Sequence, residues 1–187
     1  MKKLGLCLII ALFISIGLFA DGLQPAGSGT EGDPYQVATL DNLLWISTNN
    51  SSWSSYFEQI ADIDAADTQN WNYGAGFSRI GYSSSRFSGS YDGQNHSIDS
   101  LYIYRPTNDY LGVFGYADSA TIENLGVTNV NITGGDNVGG LAGNHTNTST
   151  INNCFSSGII NGDYDVGGLV GYSYDAVSYT HLRAHET

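Results

Sequence analysis

Short groups of apolar residues, separated by glycine, asparagine and aspartate, recur at a fixed interval in the second half of the chain. The tetrapeptide GVFG at residues 112–115 returns as GLAG at residues 140–143 and as GLVG at residues 168–171, so the two intervals are equal. The flanks recur as well, since NVG precedes the second copy and DVG precedes the third. A constant period of this length predicts stacked structural units, none of which can bury its apolar face alone.

The composition of the repeats favours β-strands over helices. They are rich in Val, Ile, Thr, Asn and Gly, contain no proline and show no helical spacing. Val130 and Ile132 in one repeat, and Ile159 and Ile160 in the next, form short apolar groups beside Gly-Asp turn signals. The expected fold is all-β: a parallel β-helix, or β-solenoid, with coils of about 28 residues. Successive coils would lie about 4.8 Å apart.

Stacking places equivalent residues of successive coils above one another. Asn124 and Asn153 hold the same place in the recurring phrases IENL and INNC, and we expect their amides to form a ladder. Leu125 and Cys154 follow them and are expected to form an inward apolar column. The glycines of the tetrapeptides are interpreted as sharp bends or as positions that need a positive φ. They are Gly112, Gly115, Gly140, Gly143, Gly168 and Gly171.

The segment VGGLVG at residues 166–171, together with INNCFSSGI at residues 151–159, resembles the GLUG repeat of bacterial surface and secreted proteins. The resemblance covers about residues 110–172, and the first copy, with VF inside its tetrapeptide, matches less closely than the other two. It implies an extracellular β-solenoid of the kind found in large adhesin-like proteins. It implies no catalytic residues, because the motif is structural.

Both ends of the chain are expected to lie outside this fold. Residues 1–20 carry two lysines, then an apolar run, then a small residue, which predicts a secretory signal peptide cut near Ala20. An uncleaved membrane anchor is the alternative, and the run is short for a span of roughly 20 residues. Residues 177–187 resemble a translated sequencing adapter and are interpreted as a non-native tail. His181 and His185, although spaced as metal ligands on a helix could be, are therefore not proposed as a site.

The N-terminal half is expected to cover the open end of the stack. Residues 21–32 are rich in glycine and predict a flexible lead-in, and residues 33–37 predict a short strand. Thr39 can cap a short helix that holds Leu40, Leu43 and Leu44 on one face. We therefore expect residues 33–109 to form a small cap with the first irregular coils. We expect residues 110–176 to form the regular repeats and the natural chain to continue beyond them.

Three further strand predictions lie between the cap helix and the repeats. Residues 57–63 form a candidate strand, and residues 86–98 predict two strands joined by a tight turn at Asp92-Gly93. Residues 101–104, LYIY, alternate between apolar and aromatic. This alternation predicts that Leu101 and Ile103 point inward and that Tyr102 and Tyr104 point outward.

The charge of the chain excludes several classes of partner. It has a net charge of −12, with 18 acidic and 6 basic residues, which disfavours nucleic acid and anionic membrane surfaces. After removal of the signal peptide no contact with a membrane is expected. Cys154 is then the only cysteine, so it is interpreted as a buried, unreactive thiol.

Two small clusters of polar residues could carry chemistry, and for both the structural interpretation is favoured. Asp62, Asp64 and Asp67 could hold calcium, but their spacing matches no defined loop, and a solvated acidic loop is expected. Asp92, His96 and Arg86 are the best candidates for catalysis. Asp92 and His96 flank a predicted turn, so we expect no enzymatic activity, no metal and no cofactor.

Binding is the better hypothesis for function. An outward aromatic surface at Tyr102 and Tyr104 could contact an extracellular glycan or a host or cell-surface protein. The simpler interpretation is that tyrosine is a good strand former whose hydroxyl reaches water. Two alternatives remain open: a purely architectural stalk, and the stalk or substrate-binding part of a larger secreted enzyme acting on polysaccharide or peptide.

Overall fold

The computed structural model of the protein describes residues 21–179 and 183–185, and this part of the chain is mainly β with one α-helix. The helix, α1, spans Leu40–Thr48, and none of the helices in the described residues could cross a membrane. Short 3₁₀ turns cover Asn50–Ser52, Ala66–Asn70 and Asn72–Gly74. The strands are β1 (Tyr35–Val37), β2 (Tyr56–Gln59), β3 (Ile63–Asp64), β4 (Ser90–Asp92), β5 (Ser97–Asp99), β6 (Tyr102–Tyr104), β7 (Phe114–Asp118), β8 (Thr121–Glu123), β9 (Gly126–Thr133), β10 (Val138–Gly139), β11 (Ala142–Thr146), β12 (Thr150–Asn152), β13 (Phe155–Asn161), β14 (Val166–Gly167), β15 (Val170–Tyr174), β16 (Val177–Tyr179) and β17 (Arg183–His185).

These strands form sheets in which every ladder is parallel and neighbouring strands come from successive stretches of the chain. One sheet has the order β1-β2-β4-β8-β12-β16, and a second has the order β17-β13-β9-β5-β3, with β6 also paired to β9. The remaining sheets are β15-β11-β7 and β10-β14. The predicted mainly β architecture with parallel pairing and one short helix near the N-terminus is confirmed.

The register of the sheets follows the sequence repeat. Phe114 pairs with Ala142, and Ala142 pairs with Val170, so both steps equal the interval between the tetrapeptides. Ile122 pairs with Ile151, which is one residue further along the chain than that interval. The extra residue enters in the turn between β11 and β12, and an irregularity between Ser156 and Gly158 restores the original register. The period of the repeat is therefore kept although one turn differs in length.

Asparagine and aspartate, rather than glycine, turn the chain at its corners. Asn124 and Asn153 take φ of 53° and 50° at one corner, and Asn137 and Asp165 take 58° and 52° at another. These residue types tolerate the left-handed region because a short polar side chain can hydrogen-bond locally. The corners therefore repeat from one unit to the next with the same backbone conformation.

The six tetrapeptide glycines were expected either to form sharp bends or to adopt a positive φ. None of them has a positive φ, so the second interpretation is wrong. A Cβ on Gly143 would lie 2.5 Å from the backbone nitrogen of Leu111, in the preceding repeat. A Cβ on Gly171 would lie 2.5 Å from the backbone nitrogen of Val138. These glycines are required because backbone segments approach too closely for any side chain.

The core changes character along the chain. In the N-terminal half it contains buried aromatic rings, with Phe87 lying 4.8 Å from Phe114 between ring centroids and Phe57 lying 6.2 Å from Tyr91. In the repeats it is mostly aliphatic. The buried residues there include Leu111, Val113, Ile122, Leu125, Val127, Ile132, Val138, Leu141, Ile151 and Cys154.

Helix α1 begins at the predicted cap. The Thr39 hydroxyl accepts a hydrogen bond from the Asn42 backbone at 3.2 Å, and the Asn42 side chain accepts one from the Thr39 backbone at 3.2 Å. The apolar face differs from the prediction, because Leu43 and Ile46 are buried while Leu40 and Leu44 are only half-buried. The i, i+3 pair points into the core, and Leu44 lies at the edge of that contact.

Two local predictions are wrong in their boundaries. Residues 57–63 form two strands, β2 and β3, because the buried side chain of Gln59 donates to the carbonyls of Ala61 at 2.8 Å and Ser97 at 2.9 Å. These bonds hold the chain in a bend between the strands. The turn after Asp92 joins β4 and β5, which belong to different sheets, and its central residues Gln94 and Asn95 have positive φ.

The expected end segments lie largely outside the described residues, as does His181. The backbone of residues 177–179 adds β16 to one sheet, and that of residues 183–185, which include His185, adds β17 to another. That residues 1–20 are a signal peptide and residues 177–187 a non-native tail stays a prediction.

Candidate functional site

One outer surface crosses three neighbouring strands and contains both tyrosines predicted to bind a partner. In register, Tyr102 of β6 lies beside Asn131 of β9, which lies beside Ile159 of β13. Tyr104, Thr133 and Asn161 form a parallel row. We call these six residues the lateral face. Leu101 and Ile103 are buried, as predicted, whereas Tyr104 keeps 52% of its surface exposed.

The position of the two tyrosines is set by the backbone on either side of β6. On one side β6 pairs with β9, and on the other the backbone nitrogen of Tyr102 donates to the Thr68 hydroxyl at 2.9 Å. The Tyr104 nitrogen donates to the Ala75 carbonyl at 3.1 Å, and Phe77 donates to the Tyr102 carbonyl at 2.9 Å. Because both sides of the short strand are bonded, its two tyrosines are held on a rigid support.

The lateral face offers aromatic, amide, hydroxyl and aliphatic groups at regular intervals. Neighbouring strands lie about 4.8 Å apart, and the two rows lie about 6.6 Å apart along the strands. Tyrosine combines an apolar ring with a hydroxyl that can bond to a polar partner. This arrangement suits an extended ligand with alternating apolar and hydroxylated surfaces.

The amides of Asn124 and Asn153 form a ladder at another edge of the sheets. The Asn153 amide donates to the Asn124 side-chain carbonyl at 2.9 Å, and the Asn124 amide donates to Asp92 at 2.9 Å. Each amide therefore bonds to a side chain of the preceding unit, which is the corner residue Asn124 in one case and Asp92 at the end of β4 in the other. This geometry is structural, since every group in it serves a corner of the chain.

The structure does not bring the proposed catalytic set together. Arg86 forms an ion pair with Asp118 and lies 4.7 Å above the ring of Tyr116. Asp92 accepts the Asn124 amide of the ladder, and the His96 ring lies 3.3 Å from Asp62. Each of the three side chains makes a separate contact, and these contacts give no support to a shared site.

The carboxylates of the proposed calcium loop also point to different partners. Asp62 accepts the Ser97 backbone at 2.8 Å, and this bond chiefly lowers the pKa of Asp62. Asp64 accepts the Ala66 backbone at 3.0 Å. Across residues 21–179, no group of three or more His, Cys, Asp or Glu side chains lies close enough to hold a metal ion.

Cys154 has the environment of a core residue. Its side chain is buried beside the equally buried Leu125, and burial raises the pKa of the thiol to about 11. A thiol with such a pKa carries almost no thiolate at neutral pH, and the thiolate is the reactive form.

A cleft that the sequence analysis missed lies at the N-terminal end, beside α1. It has a volume of about 480 Å³ and exposes the ring of Tyr73, which is 97% accessible. It is lined by Asp21, Asp41, Leu44, Thr48, Asn70, Trp71, Asn72 and Tyr73. These residues come from three separate segments of the chain. The polar residues around Trp71 were the one feature of the sequence that could have indicated the cleft.

The chain is similar in sequence to segments of much longer proteins. It is 37% identical over 151 residues to halomucin of Haloquadratum walsbyi, an alignment that covers 78% of this chain and 2% of halomucin. It is 31% identical over 140 residues to an immunoglobulin A1 protease of Streptococcus sanguinis, covering 75% of this chain and 7% of the protease. A Gly-rich membrane protein of Evansella cellulosilytica is 30% identical over 129 residues, 67% of this chain and 14% of that protein.

The chain thus spans between 2% and 14% of the length of these relatives. They are large surface or secreted proteins. No family model matches the chain, and no solved structure matches it.

Proposed function

We propose that the chain is a GLUG-type β-helix module of a secreted or cell-surface protein, non-catalytic, and serving adhesion or surface architecture. Its lateral face would bind an extended partner, either an extracellular glycan or a host or cell-surface protein. The observation that carries this proposal is the register of the lateral face, which continues over β6, β9 and β13. Long side surfaces built from repeats are well suited to extended partners.

The strand pairing supports the β-helix. Each repeat contributes one strand to each of several parallel sheets, and equivalent residues lie beside one another. Stacked units of this kind bury a continuous core that no single unit could form.

The relatives support the location at the surface, and one of them favours a second candidate function. Since the aligned protease is much longer than this chain, the module could also be the stalk or substrate-binding part of a larger secreted enzyme. In that case the partner of the lateral face would be the substrate of another domain.

Replacing Tyr102 and Tyr104 together by alanine tests the proposal. Binding to a panel of glycans and surface proteins should fall at least about tenfold, since each aromatic contact contributes roughly 0.5–1.5 kcal/mol beyond its buried area. Tyr164→Ala is the matched control, because Tyr164 is 71% exposed and lies outside the lateral face. Circular dichroism and thermal unfolding show whether the variants remain folded. Unchanged binding by a folded double variant would instead indicate a stalk.

A further inference from the structure

Three of the six basic residues of this acidic chain lie between residues 79 and 105. Between residues 21 and 176 there is no lysine, and the arginines are Arg79, Arg86 and Arg105. Arg105 directly follows β6, the strand that carries the two tyrosines of the lateral face. Its guanidinium lies over residues 76–78, close in sequence to Arg79, with its Nε 3.4 Å from the Phe77 carbonyl.

The three arginines differ in how their charges are compensated. Arg86 has a carboxylate partner in Asp118. Within the described residues, neither Arg79 nor Arg105 forms a salt bridge. The Nε of Arg79 is buried and has no hydrogen-bond partner in the same part of the chain. We call Arg79 and Arg105 the arginine pair.

The arginine pair is unfavourable without a counter-charge. Burial and the neighbouring charge of Arg105 lower the pKa of Arg79, and burial lowers the pKa of Arg105. Asp109 is the nearby carboxylate that opposes this effect at Arg79, but its Oδ1 already accepts the Asp136 backbone at 2.9 Å. Arg105 donates to the Phe77 and Gly76 carbonyls and to the Ser78 hydroxyl, each at 3.4 Å, whereas the Nε of Arg79 is left without a partner among the described residues. A half-buried guanidinium without a counter-charge costs free energy, and an anion beside the pair would recover part of it.

We infer that Arg79 and Arg105 form a binding site for the carboxylate or sulfate group of an acidic saccharide whose rings contact the lateral face. The inference rests on the proposed function and names its substrate class. The Arg105 guanidinium lies over residues 76–78, and Phe77 bonds to the edge of β6 opposite β9, so the guanidinium lies beside the strand that carries the tyrosines. One extended molecule crossing the lateral face would reach it. Because the rest of the chain repels polyanions, attraction must come from this local pair.

The direct test uses the unmodified full chain and the NMR signals of the arginine Nε–H groups, assigned with single Arg→Gln variants. The probes are an oligogalacturonate, which carries carboxylates, a heparin-derived hexasaccharide, which carries sulfates, and neutral cellohexaose. We expect the Nε–H signals of Arg79 and Arg105 to change chemical shift, and the change to saturate, as at least one acidic probe is added. The signal of Arg86 should not change. If only the oligogalacturonate shifts these signals, the site prefers carboxylates; if only the heparin-derived hexasaccharide does, it prefers sulfates. Equal shifts of all arginines, or shifts with none of the probes, would overturn the inference.

Variants provide the second measurement. Arg105→Gln should weaken binding of the acidic probe about tenfold or more, since a hydrogen bond to a charged group contributes roughly 1.5–3 kcal/mol. Arg105→Lys should recover only part of this loss, because lysine keeps the charge but not the planar fork. Arg86→Gln is the matched control: it removes the same charge outside the arginine pair and should leave affinity unchanged.

The two proposals fail in different ways. Saccharide binding that depends on Tyr102 and Tyr104 but is unaffected by Arg79→Gln and Arg105→Gln would overturn the anion site and leave the proposed function intact. A folded chain that binds none of the saccharides and none of the surface proteins would overturn both.

Discussion

The N-terminal region, residues 33–109, and the repeat region, residues 110–176, contribute strands to the same sheets but differ in strand register and in the side chains of their cores. In the repeat region the register advances almost equally from strand to strand, with Phe114 paired to Ala142 and Ile122 paired to Ile151. In the N-terminal region the steps are unequal: the step from Tyr35 to Phe57 is shorter than a step in the repeats, and the step from Phe57 to Tyr91 is longer. The longer step contains the 3₁₀ turns Ala66–Asn70 and Asn72–Gly74.

The difference in register accompanies a difference in core. The core of the repeat region is built mostly from aliphatic side chains, and some of them, such as Ile122 and Ile151, lie beside one another in register. The N-terminal region has loops of unequal length and fills the remaining space with rings such as Trp53, Phe77 and Phe87. Repetition specifies one region, and individual packing of bulky side chains specifies the other.

The largest expected effect is in the N-terminal region. Phe87→Ala removes a fully buried ring that lies 4.8 Å from Phe114 and 6.1 Å from Phe57 between centroids. We expect the free energy of unfolding to fall by about 3–5 kcal/mol, because the cavity cannot close. Urea unfolding measures it, with Ile151→Val in the repeat region as a control that should cost about 0.5–1.5 kcal/mol. A loss for Phe87→Ala no larger than that of the control would contradict the assigned role of the rings.

A smaller effect is expected where the repeat region depends on close backbone approach. Gly143→Ala places a Cβ against the backbone of Tyr110 and Leu111, which cannot move without disturbing the next repeat. We expect a loss of about 1–3 kcal/mol. Gly32→Ala is the control, since nothing lies within 4 Å of its new Cβ, and it should change stability by less than about 0.5 kcal/mol. Equal thermal stability of the two variants would rule out the steric explanation.

The smallest effect concerns the amide ladder within the repeat region. Asn153→Ala removes the bond to Asn124 and leaves alanine at φ of 50°, so we expect a loss of about 1–2 kcal/mol. Asn153→Gly removes the same bond but tolerates this φ, and it should be more stable than the alanine variant. Thermal unfolding of the three proteins separates the two contributions. Alanine and glycine variants of equal stability would show that the left-handed corner has no cost.

Several features could be predicted because they depend on local sequence. The period of the tetrapeptides indicated stacked units, the Thr39 cap and nearby leucines indicated the helix, and the alternation around Ile103 indicated which side chains are buried. Each of these rests on the spacing of a few neighbouring residues, which is the information that a sequence contains directly.

The candidate site was predicted only in part, because local spacing does not show which strands become neighbours. Tyr102 and Tyr104 were found by alternation, but Asn131 and Ile159 join them through strand register, from later stretches of the chain. The arginine pair was missed because Arg79 and Arg105 are remote in the chain and neither lies in a motif. Asp92, His96 and Arg86 lie close in the sequence, but their side chains contact Asn124, Asp62 and Asp118 respectively, which only the structure shows.

By itself, therefore, the sequence determined the repeat, the strand-rich composition, the helix cap and the strongly acidic charge, all of which are local or additive properties. Tertiary structure alone decided which corners use asparagine, why the tetrapeptide glycines are needed, and which side chains share a surface. These depend on contacts between backbone segments that lie a full repeat apart in the chain. Such contacts exist only once the strands have paired, because the space available at each position is set by the neighbouring unit.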